Sequence, residues 1–366
     1  MSSLFDQRIQ TLAREMKRTG IDALFASSPV TMSYLHGFGE GGHERFLALG
    51  FHADGHVALI CPALTETQAR ACGIGDVRPW KDGDDPMVLF RQLASQWKLR
   101  SSVIAVDDDM PAAMLLKMQQ ALPAALFRPA LDVVSRLMAE KDADELAKLR
   151  QAAAIADGAF PAAMRALKPG VTERQVAEAI KGAMAEAGGF PEFCIVAAGP
   201  NGAMPHHLTD DTVIQPGDVV IMDFGCSVDG YLSDITRTVC VGTASDEAKR
   251  TYETVYRAFT AGIEAAKPGV ACEEVDRAAR TVIHEAGQGD YFVHRTGHGI
   301  GMRGHEPPYI VAGNHTPLHV GNCFSVEPGI YFPGKFGVRI ENIVTVTPQG
   351  AESLNDIPSA TLIEVA

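Results

Sequence analysis

Apolar and polar positions alternate differently in the two parts of the chain. "IDALFASS" and "SSVIAVDDD" are short apolar runs with polar ends, the signature of buried strands, and "FLALGFHADGHVALICP" is two such runs folded about Asp54-Gly55. Helical spacing in the stretch up to Gly20 and in "DPMVLFRQLASQWK" lies between them, so residues 1–131 are expected to form a small α/β domain. From Asp132 to Leu167 the pattern is helical throughout, with Pro161 as a point where the helix kinks, and this segment opens a second domain, 132–366.

The second domain repeats itself. "KPGVTERQVAEAI" begins at Lys168 and "KPGVACEEVDRAA" at Lys267, an offset of 99 residues. In each, Pro-Gly ends one helix and another begins; Thr172 and Gln175 form a capping box, and Val176, Ile180 and Met184 share an apolar face. "QPGDVVIMDFG" (215–225) matches "HVGNCFSVEPG" (319–329) at an offset of 104. A duplicated αβ half is the economical reading, and it predicts a shared sheet with a site near the pseudo-two-fold axis.

The repeat aligns acids. Asp223 corresponds to Glu327, each at the end of an apolar strand, and each is followed by a turn and another acid, Asp234 or Glu341. Asp223 and Asp234 lie symmetrically about a point between Val228 and Asp229, and Glu327 and Glu341 about Gly334, so two hairpins bring four carboxylates to one sheet. Such charges repel at close range, and divalent cations relieve the repulsion. His206 and His305 are 99 residues apart, the helical offset, whereas His298 has no histidine counterpart. Asp223, Asp234, His298, Glu327 and Glu341 are therefore the candidate ligands. Their oxygen-rich chemistry suits manganese first, with cobalt, iron or zinc as alternatives. Taken singly, Asp234 is explained by a pair with Arg237, Glu341 by one with Arg339, and Asp229 by a turn.

Composition narrows the partners. A net charge of -13 offers no basic surface for nucleic acid or an anionic membrane. Seven cysteines without a Cys-x-x-Cys pair fit reduced thiols, and no apolar run spans a bilayer, so a cytoplasmic protein is expected. The string Gly299-Ile-Gly-Met-Arg-Gly304 fits a nucleotide-binding turn in spelling only, because Pro307 and Pro308 fall where its helix would run.

In order from Met222 to Asn342, "MDFG", "SDITRT", "TGHGIG", "HEPP", "SVEPGIY" and "VRIEN" resemble the pita-bread metallopeptidases, in particular the Xaa-Pro peptidases aminopeptidase P and prolidase. The resemblance implies an α/β (α+β) fold: a pita-bread C-terminal domain of two pseudo-symmetric αβ halves after a smaller creatinase-like N-terminal domain. It implies two divalent metal ions, one chelated by Asp223, the other by His298 and Glu327, with Asp234 and Glu341 bridging. His206, His294 and His305 match substrate-binding and catalytic histidines, Glu327 also carries a proton, and Arg339 supports the ligands. Asn342 departs from the Asp that many relatives carry there. The implied substrate is a peptide with proline second, and similar proteins form homodimers. Some prolidases read the dipeptide carboxylate with an arginine shortly after "HE"; Tyr309 stands at that point, with Arg303 or Arg339 as substitutes, so aminopeptidase P is the preferred reading and prolidase the alternative. Methionine aminopeptidase, a creatinase-like hydrolase and a non-catalytic peptide-binding protein remain behind these.

Overall fold

The computed structural model describes residues 4–366, apart from the side chain of Asp132. Two compact units divide it, one up to Met138 and the other Ala139–Ala366. In the first, strand Ala23–Ala26 is entirely buried and pairs antiparallel with Ala48–His52 and parallel with Val103–Val106. Ala48–His52 turns back at Asp54-Gly55 into Val57–Pro62, where Gly55 has a φ of 88°, a left-handed conformation that costs glycine little. Val77–Trp80 and Leu126–Pro129 complete a six-stranded mixed sheet. The helix of "DPMVLFRQLASQWK" runs Pro86–Gln96, capped by Asp85, which accepts from the Met87 amide.

The long helical stretch is not continuous. It breaks into Leu131–Ala139 and Ala143–Ala166 because Asp142 and Glu145 form a capping box that starts a new helix. Pro161 lies inside the second helix without ending it.

The duplication is visible in backbone contacts. Helix Glu173–Glu186 starts from the Thr172/Gln175 capping box and buries Val176, Ile180 and Met184 completely, each stabilising by about 1.5–3 kcal/mol relative to exposure. Its counterpart is Cys272–Glu285. Before the first, Gly170 N donates to Ile214 O at 2.9 Å and Ile214 N to Val171 O at 2.8 Å; before the second, Gly269 N donates to Leu318 O at 2.8 Å and Leu318 N to Val270 O at 2.8 Å. The same sequence device, Lys-Pro-Gly-Val, thus clamps each helix to an extended segment.

The expected shared sheet is instead two. Strands Phe190–Ala198, Val219–Val228, Tyr231–Leu232, Ile235–Val241 and Ile363–Val365 form one; Gly297–Gly299, Glu306–Ile310, Cys323–Val326, Asn342–Thr347 and Gly350–Ser353 form the other. They meet at a single antiparallel bridge, Thr236 to Glu341. Beside the bridge the Arg339 backbone bonds a side chain instead of a ladder partner: Arg339 N donates to Thr238 Oγ1 at 3.2 Å, and Thr238 Oγ1 donates to Arg339 O at 2.7 Å. No helix opens at Gly299–Gly304, which joins two strands.

Candidate functional site

A cavity of about 710 Å³ lies where the two sheets meet. Asp223, Asp234, His298, Glu327 and Glu341 all line it, as do His206, His294, His305 and Arg339. Every sequence-derived candidate therefore faces one space.

Local register explains the carboxylates. Val219–Val228 pairs antiparallel with Ile235–Val241, setting Asp223 opposite Thr236 rather than Asp234. Ser233 N donates to Cys226 O at 2.8 Å on the same register. The turn is thus centred one residue later than expected, at Asp229-Gly230, and Asp234 sits diagonally to Asp223, still within reach across the sheet. Asp229 has a φ of 48°, as a turn residue does. In the second half the symmetric expectation matches the ladder: Val326 pairs with Asn342 and Gly329 with Arg339, which sets Glu327 opposite Glu341.

Asp223, Glu341 and Glu327 are each anchored by a hydrogen bond, and Asp223, Asp234 and Glu341 each keep an open oxygen. Arg339 Nη2 donates to Asp223 Oδ2 at 2.6 Å, Thr236 Oγ1 to Glu341 Oε2 at 2.7 Å, and Ser325 Oγ to Glu327 Oε1 at 3.1 Å. Asp223 Oδ1, Asp234 Oδ1 and Glu341 Oε1 are buried and have no hydrogen-bond partner among the described residues. Neither single-residue explanation applies. Arg237 is turned to Glu341 O, Asn342 Oδ1, Asp356 O and Asp157, and Arg339 to Asp223, Tyr331 and Thr236.

His298 Nε2 stands 3.3 Å from Glu327 Oε1 and 3.7 Å from Asp234 Oδ2, while Nδ1 faces Gly299 O at 3.1 Å. The backbone carbonyl fixes the tautomer with the proton on Nδ1, leaving Nε2 as a lone-pair donor towards the acids. Ligand atoms of Asp234, His298 and Glu341 lie within 4.8 Å of one another. Buried oxygens without donors, beside a neutral imidazole, fit a divalent cation: an unpartnered buried carboxylate is costly, and a cation removes that cost.

Electrostatics agree with this. Burial, then repulsion from Glu341, Asp223 and Glu327, pushes Asp234 well above the usual carboxylate range. Glu341 rises for the same reasons, burial first and then Glu327 and Asp223. Glu327 is pushed up to about 7 by burial, with Arg339 pulling it back. Burial lowers His298 to about 3 and His294 to about 4, so both are neutral at physiological pH.

The three other histidines differ. His294 has both nitrogens engaged, Nδ1 with Arg295 O and Nε2 with the Tyr331 hydroxyl, each at 2.7 Å. His305 is exposed and its ring stacks edge-on against His298, centroids 3.9 Å apart. His206 is exposed at the rim, whereas its neighbour His207 is buried and bonded to Glu173 at 2.8 Å. Glu173, His207 and Asp210 also cluster, but the Glu173 oxygens already accept from Ala198 N, Asn201 Nδ2 and Asp210 N, which leaves no open ligand atom on that acid.

Sequence reading missed Ser325, Thr236, Tyr331 and Arg295. The first three hold site side chains by hydrogen bonds, and Arg295 lines the cavity. "SVEPGIY" and "HRTGHG" contain three of them, but only tertiary contacts assign their partners.

A duplicated αβ fold with a carboxylate-rich, metal-competent cavity between its halves defines a metallohydrolase class. The chain belongs to metallopeptidase family M24, which residues 147–348 match, and residues 8–137 match the creatinase/prolidase N-terminal domain. It is 40% identical to the Xaa-Pro dipeptidase of Lactobacillus helveticus over 93% of this chain and 95% of that one. Among solved structures it superposes on dipeptidase PepE from Mycobacterium ulcerans with a TM-score of 0.94 at 40% identity, covering 99% of this chain and 98% of the other. A recombinant prolidase from Thermococcus sibiricus gives 0.94 at 36% identity, covering both chains completely. The protein is thus an enzyme that works with divalent metal ions, and no helix among the described residues is long and apolar enough to cross a membrane.

Proposed function

We propose that this enzyme is an Xaa-Pro dipeptidase, hydrolysing the bond before the proline of a two-residue peptide. The observation that carries the reading is the convergence of Asp223, Asp234, His298, Glu327 and Glu341 on one cavity, with three buried carboxylate oxygens unpartnered among the described residues. Similarity to dipeptidases and a prolidase moves the preference from aminopeptidase P to the dipeptidase alternative.

Asp223 would hold one of two divalent ions and His298 with Glu327 the other, Asp234 and Glu341 bridging; manganese is the first choice for so many oxygens. When bound, the ions lower the pKa of water and polarise the scissile carbonyl. Glu327, on the cavity wall, accepts a proton from the attacking water and returns it to the departing proline nitrogen as the C–N bond breaks. His305 and His206, exposed on the cavity wall, donate to the oxyanion or orient the substrate. Phe193, Ile195, Pro205 and Leu232 form an apolar wall suited to a proline ring.

The test is hydrolysis of Ala-Pro, Ala-Pro-Ala and Ala-Ala by manganese-loaded protein. Rapid release of alanine from Ala-Pro alone is the expected result. Preference for Ala-Pro-Ala restores the aminopeptidase reading, and preference for Ala-Ala removes proline selectivity.

A further inference from the structure

We propose that Arg295 reads the C-terminal carboxylate of the dipeptide, held in place on the ring of Tyr309; this rests on the dipeptidase reading above. A free dipeptide brings a negative charge into a cavity already lined by Asp223, Asp234, Glu327 and Glu341. With the two ions in place those acids are neutralised, but the dipeptide carboxylate, at most about 4 Å of chain from the scissile bond, still gives up water on entering the cavity, which is costly unless a cation on the wall pairs with it.

The cavity has two arginines, Arg295 and Arg339. Arg339 is spent: its guanidinium donates to Asp223, Tyr331 and Thr236. Arg303, the other candidate from the sequence, is not among the residues lining the cavity. Arg295 lines the cavity, half-buried, and its guanidinium carbon lies 4.6 Å from the centre of the Tyr309 ring. Among the described residues it has no ion-pair partner. A guanidinium stacked on an aromatic face keeps its edge N–H groups free, and those are the groups that grip a carboxylate in a bidentate fork.

Its backbone is fixed on both sides. His294 O accepts from Arg280 Nη2 at 2.8 Å, Thr296 N and Oγ1 both donate to Asp276 Oδ1, and Thr296 O accepts from Glu327 N at 2.8 Å. The last bond ties Arg295 in register to Glu327, so the groups at the two ends of a bound proline residue are set by one piece of backbone. An Xaa-Pro amide or a longer peptide places a neutral amide where the carboxylate would be and gains little from Arg295.

The experiment compares Ala-Pro with Ala-Pro-NH2 in manganese-loaded wild type, Arg295→Ala and Arg295→Lys, with metal content and circular dichroism measured on each. A charge-assisted pair contributes about a tenfold to hundredfold factor, so Arg295→Ala should lose that much kcat/KM on Ala-Pro, chiefly through KM, while its rate on the amide changes by less than about threefold. Arg295→Lys should recover part of the loss with the free acid alone. Equal losses on acid and amide, with metal content and fold unchanged, overturn the role of Arg295 and leave Xaa-Pro cleavage standing. Wild type that cuts neither compound overturns the dipeptidase reading and this inference with it.

Discussion

Burial holds Glu327 at a pKa of about 7, above its ordinary 4.5, and raises Asp234 and Glu341 as well. In the metal-free protein a raised carboxyl pKa means that the folded state binds more protons than the unfolded one. Its stabilising effect is complete below the unfolded value and is lost as pH rises through the folded one. His298 and His294, lowered to about 3 and about 4 from 6.5, act in the opposite sense, adding stability as pH rises towards 6.5. The two effects oppose each other in mildly acidic solution, and above 6.5 only the carboxylates remain. Chelator-treated protein should therefore melt at progressively lower temperature from pH 6.5 to 8.5, and saturating manganese should remove the trend because the cation replaces the protons. A flat melting profile for the chelated protein over that range contradicts the assignment. Tyr331 gives a second residue-scale prediction. Its hydroxyl accepts from Arg339 and bonds His294, so Tyr331→Phe leaves two buried groups unsatisfied at about 1–3 kcal/mol each, measurable by denaturant unfolding, and lowers kcat/KM with metal still bound. Asn342 also becomes intelligible here. It accepts from Arg237 and donates to Ser353 Oγ and Asp356 O, two roles that an ionised Asp cannot combine. The candidate carboxylates were legible because the repeat placed acids at equivalent points of its two halves, although Asp223 lies inside strand Val219–Val228 and not at its end as expected. Tyr331, Thr236 and Ser325 were not, since a hydroxyl in an apolar strand carries no sign of the partner it will meet.

At the scale of elements, turn chemistry and capping were the readable features. Asp54-Gly55 and the Thr172/Gln175 box form as their residues require. The Asp142/Glu145 box was hidden inside a helical pattern, because "DADE" continues the periodicity that its cap interrupts. Register was harder: symmetry about a turn found the Glu327/Glu341 pair and misplaced the Asp223/Asp234 pair by two residues, since turn position is set by backbone conformation at Asp229-Gly230 rather than by the spacing of the acids. Close backbone approach was likewise invisible. A Cβ on Gly297 would overlap the Ser325 carbonyl on the neighbouring strand, next to both His298 and Glu327. Gly297→Ala should cost about 1–3 kcal/mol or more, a fall of about 2–4 °C in melting temperature per kcal/mol, and should weaken metal binding by shifting His298. An unchanged melting temperature in calorimetry would show that these strands yield more easily than their packing implies.

For the molecule as a whole, two αβ halves each contribute carboxylates to a cavity that neither could build alone, so metal binding should couple the halves. Glu341→Ala, which empties a position between them, should lose most bound metal and nearly all activity while keeping its secondary structure; metal content equal to wild type would remove Glu341 from the ligand set. Whether the cavity is a two-metal Xaa-Pro dipeptidase site is decided by titrating chelator-stripped enzyme with manganese while Ala-Pro hydrolysis is followed. The stripped protein should show no turnover, and activity should rise on titration and saturate near two ions per chain. Hydrolysis of Ala-Pro by fully stripped protein, or none at any manganese concentration, would contradict that assignment.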